Sequence, residues 1–273
     1  MISSRIPGLT SAKQIATHTT QMLRNLRLSS FQDQWTSWRH HRRAMRHFPK
    51  LRSRYKESRC FVIGNGPSLN NLDLTVLSRE LTIGSNGLYL HHSKMGFYPT
   101  IYTVTNPFIA EQMGAHIADL SLSIKIFPSF LARYFERAGG EVIFLRTIAG
   151  YTFSSDVTQW VSWQSTVTFF NLQIAFSLGC PEVYLIGVDN DYVQQGEGKE
   201  GDIIVQNGTA DPNHFRSDYF GQGFVWQRAD TTNMARCYDL AHEAFNKSGR
   251  IIRNATAGGK LEVFPRVDYR TLF

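Results

Sequence analysis

Four consecutive apolar residues, Cys60-Phe-Val-Ile63, run directly into Gly64-Asn65-Gly66-Pro67-Ser68. This junction constrains the fold more than any other part of the chain. A short strand without polar alternation suits a parallel sheet covered on both faces. Glycines directly after it let the backbone approach another group closely. Free N–H groups and the dipole at the start of a following helix favour an anion there. The loop is not the full G-x-G-x-x-G fingerprint, and the lysine of a P-loop is absent. Two readings stand: a corner of a nucleotide site formed by Gly64, Asn65, Gly66, Pro67 and Ser68, or a tight strand–helix turn with no ligand.

The alternation continues downstream. Residues 80–84, 99–104, 123–127, 141–145, 183–188 and 250–254 read as strands, and 108–120, 130–138, 166–178 and 231–247 as helices. Segment 166–178 has apolar residues throughout its length, which predicts burial, and Gly179 supplies its C-terminal stop. Strands alternating with helices predict an α/β, Rossmann-like domain over residues 60–273, with a mainly parallel sheet and helices on both faces. Residues 194–211 are polar and glycine-rich, within a segment of about 192–226 that reads as a lid.

The net charge of +7 is unevenly spread. Residues 1–59 hold thirteen Lys and Arg but only Asp33 and Glu57 as acids, a surplus of eleven, so the remaining 214 residues carry −4. This basic stretch has helical spacing in Met22, Leu23, Leu26, Leu28, Phe31, Trp35 and Trp38, then a basic run over 39–46, which Pro49 is expected to interrupt. A basic amphipathic helical arm of this kind suits an anionic membrane surface through residues 20–56. It equally suits packing on the main domain or on a second subunit of a homo-oligomer. Nucleic acid is disfavoured, because the body is acidic and shows no recognition motif. No apolar run reaches membrane-spanning length, and residues 1–28 lack the apolar core of a secretory signal, which predicts a cytoplasmic protein, peripheral on the inner membrane face if the arm binds lipid. Cys60, Cys180 and Cys237 are far apart without Cys-x-x-Cys spacing, against a disulfide scaffold and a zinc site.

Two more asparagines sit at equivalent places, Asn86 after the second strand and Asn106 after the third. In an open parallel sheet the carboxyl ends of the strands form the ligand crevice, so Asn65, Asn86 and Asn106 converge. An amide offers two donors and an acceptor without charge, which suits sugar hydroxyls, a base edge or phosphate oxygens; singly, each is also a common turn residue. Asp189-Asn190-Asp191 ends another strand. Its spacing can hold a divalent cation through hard oxygens, contact substrate, or serve the fold. Asn254 and Thr256 open a glycine loop that ends at Lys260, either a connecting turn or a cover over a nucleotide.

Gly64-Asn65-Gly66-Pro67-Ser68, Ser85-Asn86-Gly-Leu-Tyr89 and Thr105-Asn106-Pro-Phe108 resemble the successive nucleotide-sugar motifs of the bacterial sialyltransferases of glycosyltransferase family 42. The stretch from Leu178 to Asp189 is similar as well, and Asn213-His214-Phe215 more loosely; together these cover roughly residues 60–260. The Gly-x-Gly-Pro-Ser opening also resembles a broader group named after the archaeal 6-hydroxymethylpterin diphosphokinase-like domain. The sialyltransferase resemblance implies a GT-A-like single domain, a CMP-linked acidic sugar as donor, a glycan or glycolipid acceptor and no required metal. It implies that Asn65, Asn86 and Asn106 contact the donor, that His214 is the general base, and that Tyr192 and Tyr219 help the leaving phosphate. A histidine suits that role because it exchanges its proton near working pH; otherwise His214 is a turn residue beside Pro212-Asn213. Where the family has a basic residue, this chain has Gln164, then Ser165, Thr166, Val167 and Thr168. Hydroxyls and N–H groups at a helix start can hold a carboxylate instead, which leaves the sugar's identity open. The aromatic run Phe215, Tyr219, Phe220, Phe224 and Trp226 packs in the core or lines an acceptor cleft. The diphosphokinase-like alternative implies ATP with Mg²⁺ at Asp189 and Asp191. A non-catalytic nucleotide-binding scaffold is the third reading.

Overall fold

A computed structural model describes residues 32–120, 123–193, 198–206, 208 and 210–273, with side chains from residue 39 onward. The apolar positions 22–31, the side chains of Trp35 and Trp38, and residues 194–197, 207 and 209 of the expected lid lie outside the described residues. Seven strands form one sheet: β1 (Cys60–Ile63), β2 (Leu81–Ser85), β3 (Ile101–Thr103), β4 (Ile124–Pro128), β5 (Val142–Leu145), β8 (Glu182–Ile186) and β11 (Ile251–Asn254). Their order is β11-β8-β1-β2-β3-β4-β5, and every neighbouring pair is parallel. The expected strands are all present within one or two residues. Two small sheets lack a counterpart in the sequence pattern: β6 (Thr147–Ile148) with β7 (Val161–Ser162), and the antiparallel hairpin of β9 (Ile203–Val205) and β10 (Val225–Gln227).

Successive side chains of a strand point to opposite faces, and β1 shows both faces covered. Cys60 and Val62 enter one apolar layer, with Phe48 of α1 (Gln32–Tyr55), Phe169 of α5 (Val167–Leu178) and Phe245 of α6 (Thr231–Lys247). Phe61 and Ile63 enter the other, with Ile109 of α3 (Pro107–Ala118) and Phe135 of the one-turn helix α4 (Ala132–Phe135). A second one-turn helix, α2 (His92–Met95), follows β2. Helix α5 is buried almost all round, as apolar residues along its whole length predict, and ends at Gly179 with φ of 91°.

Three expectations need correction. Pro49 does not interrupt the arm: α1 runs through it for 24 residues. A mid-helix proline costs about 3 kcal/mol, but Ala44, Phe48 and Leu51 are buried in the core on either side of it, and that burial outweighs the local penalty. The element after the glycine loop is a five-residue 3-10 turn, Pro67–Asn71, so no α-helix dipole points at the loop. Segment 130–138 is likewise a 3-10 turn leading into α4.

At 100° per residue, Arg39, Arg42, Arg43, Arg46, Lys50 and Arg54 fall within an arc of about 120° on α1, all exposed and opposite the buried Ala44 and Phe48. The chain leaves β5 at one edge and re-enters the sheet at β8, beside β1. The β1–β8 boundary is therefore the topological switch point, where a crevice opens at the strand carboxyl ends.

Candidate functional site

A cavity of about 220 Å³ lies at that boundary, several times the roughly 30 Å³ share of one water. It is lined from the ends of β1, β2, β3 and β8, the start of α5, the segment around His214 and the β9–β10 hairpin. Of the residues singled out in the sequence, Gly64, Asn65, Gly66, Asn86, Asn106, Ser165, Thr166, Thr168, Asp189, Tyr192, His214 and Tyr219 line it, as does Asp191. Pro67, Ser68, Asn254 and Thr256 do not.

The glycine loop is built differently from an anion cradle. Gly64 N–H donates to Ile186 O at 2.8 Å, and Gly66 N–H to Gly187 O at 2.9 Å. Ser68 donates from its backbone to Asp189 Oδ1 at 3.3 Å and from its hydroxyl to Oδ2 at 2.7 Å. A Cβ on Gly64 would meet Gly187 O at 2.2 Å, and one on Gly66 would meet Asp189 Oδ2 at 1.8 Å. The two glycines let the loops after β1 and β8 cross, and their N–H groups are already taken. Burial pushes the Asp189 carboxyl above its usual range, opposed by the two bonds from Ser68.

The asparagines supply the polar floor. Asn65 Nδ2 donates to Ser85 O at 3.3 Å. Its Oδ1, and those of Asn86 and Asn190, are buried without a partner among the described residues. Asn86 (φ 53°) and Asn190 (φ 51°) are both left-handed, a conformation asparagine tolerates. Asn106 also caps α3, its side chain accepting from Phe108 N–H at 2.8 Å. Thr166 caps α5, accepting from Thr168 N–H at 3.2 Å, and Ser165 precedes it with φ of 72°. The amino end of α5 thus faces the cavity. Among the described lining residues there is no Lys or Arg, so an anion there depends on this helix end and its hydroxyls. Tyr238 of α6 adds a phenol that burial pushes up to about 12.

His214 is held on three sides. Its Nδ1 lies 2.7 Å from Oδ2 of Asp211, which is 7% exposed and takes Asn213 N–H on Oδ1 at 3.0 Å. The ring stacks on Tyr219 with centroids 3.9 Å apart and planes within 5°. The next residue, Phe215, donates its N–H to Asn65 O at 3.0 Å, tying this segment to the β1 loop. Asn213 bonds both backbone groups of Val193, at 2.7 and 3.0 Å, tying it to the β8 loop. With Nδ1 committed to a carboxylate, Nε2 is the nitrogen left to exchange a proton.

The fold is similar to part of a solved glycosyltransferase. The MAf glycosyltransferase from Magnetospirillum magneticum AMB-1 matches 80% of this chain with a TM-score of 0.52 at 17% sequence identity. The match covers 34% of that protein, so this chain spans about a third of its length. No protein-family model and no curated protein matches the sequence.

The remaining predicted residues are placed as follows. The Tyr219 hydroxyl accepts from Gly87 N–H at 2.8 Å, and a Cβ on Gly87 would meet the Tyr219 ring at 2.6 Å. At 2% exposure, with burial driving its phenol far upward, Tyr219 keeps its hydroxyl proton and forms a platform under the His214 ring. Tyr192 is 38% exposed at the rim. Asn254 and Thr256 are buried and brace the β8 end: Asn254 donates to Leu261 O at 2.8 Å, and Thr256 Oγ1 accepts from Val188 N–H at 3.2 Å. Their loop closes on the Asp189 backbone through Lys260 N–H at 2.7 Å, not over the cavity. Lys260 also pairs with Asp191 at 2.7 Å. Both carboxylates considered for Mg²⁺ are therefore engaged by protein groups, and no cluster of three metal-ligating side chains occurs among the described residues. Asp211, three residues before His214, is legible as a spacing but carries no motif that marks it. Trp226 belongs to the aromatic run read as core or acceptor cleft, and Asn190 lies inside the Asp189–Asp191 motif, and both line the cavity; Tyr238, Gln206 and Gln227 have no sequence signal of their own. Among the described residues, no helix is long and apolar enough to cross a membrane.

Proposed function

We propose that this protein is a glycosyltransferase that binds a nucleotide-sugar in the switch-point cavity and uses His214 as general base. The observation that carries this reading is the Asp211–His214 pair at 2.7 Å, set beside unpaired amide oxygens in one polar cavity. The Asp211 carboxylate fixes the proton on Nδ1, leaving the Nε2 lone pair for an acceptor hydroxyl. As that proton moves to Nε2, the hydroxyl oxygen bonds to the anomeric carbon of the donor. The bond from that carbon to the phosphate oxygen breaks, and its electron pair leaves with the nucleotide. The imidazolium is then paired with Asp211. Ser165, Thr166 and Thr168 at the α5 start receive negative charge of the donor, and Asn65, Asn86, Asn106 and Asn190 its uncharged polar groups.

The finer assignment is a CMP-linked acidic sugar, passed to a glycan or glycolipid. The motif resemblance supports it, as does a helix start with hydroxyls able to take a carboxylate. His214→Ala is expected to abolish transfer while CMP still raises the thermal midpoint; full transfer by that variant sinks the assignment. A pyrophosphoryl transfer from ATP with Mg²⁺ is the second reading, favoured by Asp189 and Asp191 lining the same cavity. Transfer that survives EDTA supports the first reading, and transfer abolished by it supports the second. The outward arc of α1 is proposed to meet an anionic membrane surface on the cytoplasmic side, bringing the cavity to lipid-linked acceptors.

A further inference from the structure

Beyond His214 the cavity has an aromatic wall to which the chemistry above assigns nothing. Phe220 meets the His214 ring edge-on, with centroids 4.9 Å apart, and lies nearly parallel to Trp226 at 5.9 Å and 12°. Phe220 is almost covered, whereas Trp226 is only partly buried and borders the cavity. The indole N–H of Trp226 donates to Gln206 Oε1 at 3.2 Å. The hairpin is pinned to the body by Gln112 of α3, whose amide donates to Val225 O at 2.7 Å and accepts from Val225 N–H at 2.8 Å. The wall is thus a fixed surface. Gln227, exposed beside Trp226, spends its amide N–H on Gly201 O at 3.0 Å and keeps its side-chain oxygen for another donor.

We propose that Trp226, held by Gln206 and flanked by Gln227, is the acceptor subsite, and that the acceptor presents a pyranose ring there. This rests on the transferase reading above. A general base must lie within about 3 Å of the hydroxyl it deprotonates, so the acceptor ring must be a neighbour of His214. The asparagine floor and the α5 start are allotted to the donor. The remaining side leads through Phe220 to Trp226. An aromatic face is electron-rich, and a pyranose offers it a face of polarised C–H groups while a hydroxyl reaches the side-chain oxygen of Gln227. An anionic acceptor, or one with no C–H face, would gain little from such a wall.

The test uses the full chain with CMP, methyl β-D-galactopyranoside and methyl β-D-glucopyranoside as probes. Saturation-transfer NMR reads the pyranosides in the presence of CMP, and the thermal midpoint reads CMP. For the wild type, transfer to the ring C–H protons of at least one pyranoside is expected. Trp226→Ala loses it, Trp226→Phe keeps it, and the CMP shift is the same in all three proteins. Pyranoside signals unchanged by Trp226→Ala, or absent from the wild type, overturn the acceptor assignment alone. A CMP shift lost in Trp226→Ala and kept in Trp226→Phe overturns it too, by giving the wall to the donor. No CMP shift in the wild type sinks the donor reading itself, and the acceptor assignment with it.

Discussion

Replacing Asp211 by Asn tests the base more sharply than removing His214. The two side-chain oxygens of Asp211 have different partners: Oδ1 accepts from Asn213 N–H at 3.0 Å, and Oδ2 meets His214 Nδ1 at 2.7 Å. In Asp211→Asn the amide oxygen must stay with the Asn213 N–H, because an NH₂ there would face another donor. The NH₂ therefore turns to His214 Nδ1 and makes that nitrogen an acceptor. The ring proton moves to Nε2, the atom required to take the acceptor's proton. A base locked in the wrong tautomer loses about 10⁴-fold in kcat, or about 5.5 kcal/mol of transition-state stabilisation. The stability cost is small by comparison, about 1–2 kcal/mol for trading a charge-assisted bond for a neutral one. Initial rates of CMP release from a CMP-linked acidic sugar would measure the first, and urea unfolding the second. Asp211→Ala, which leaves the tautomer free, is expected to be no slower than Asp211→Asn. An Asn variant retaining more than about a tenth of wild-type kcat would refute the reasoning.

Other outcomes follow from the packing. Gly66→Ala sets a methyl 1.8 Å from Asp189 Oδ2 and 2.9 Å from Gly187 O, so urea unfolding should show a loss of about 3 kcal/mol, and a change under about 0.5 kcal/mol would mean the loops are not locked together. Reversing Arg39, Arg43, Arg46 and Lys50 to Glu is expected to end cosedimentation with phosphatidylglycerol vesicles at an unchanged thermal midpoint, since all four are exposed; binding that persists counts against the arc as the lipid contact. Phe48→Ala, on the opposite side of the same helix, should instead cost about 3–5 kcal/mol of stability, because its ring is fully buried. Deleting α1 outright would confuse the two effects.

The sheet is legible in the sequence where burial is two-sided. β1 is apolar without interruption, and α5 carries apolar residues all round, because both faces of the strand, and all sides of the helix, meet protein. Pro49 misleads for the converse reason: a local rule is outweighed by Ala44, Phe48 and Leu51, whose burial depends on β5 and α5 far along the chain. Gly64 and Gly66 stand out correctly, but their reason lies elsewhere, since Ser68 and the Asp189 carboxylate it bonds are 121 residues apart. The His214 site is half visible. Asp211 stands three residues before it, yet Asp-Pro-Asn-His also reads as a turn, and only the fold makes the spacing a 2.7 Å contact. β9 and β10 are three residues each, too short for a period-2 pattern to emerge from a polar loop.

These contacts change what the strand-end residues mean. If the loops after β1, β2 and β8 served the fold alone, glycine would suit the left-handed positions 86 and 190 best, as it does at 187, where φ is 66°. Asparagine stands at both instead, and each buries an amide oxygen that no described residue satisfies. Asn65, in the loop after β1, does the same. Buried polar atoms are nearly always paired, and these three face one cavity beside the nitrogen that Asp211 leaves free on His214. Packing explains the glycines of these loops but not their asparagines. The physical case for a polar ligand at the switch point therefore rests on the three amides, which still ask for partners, and not on the glycine loop.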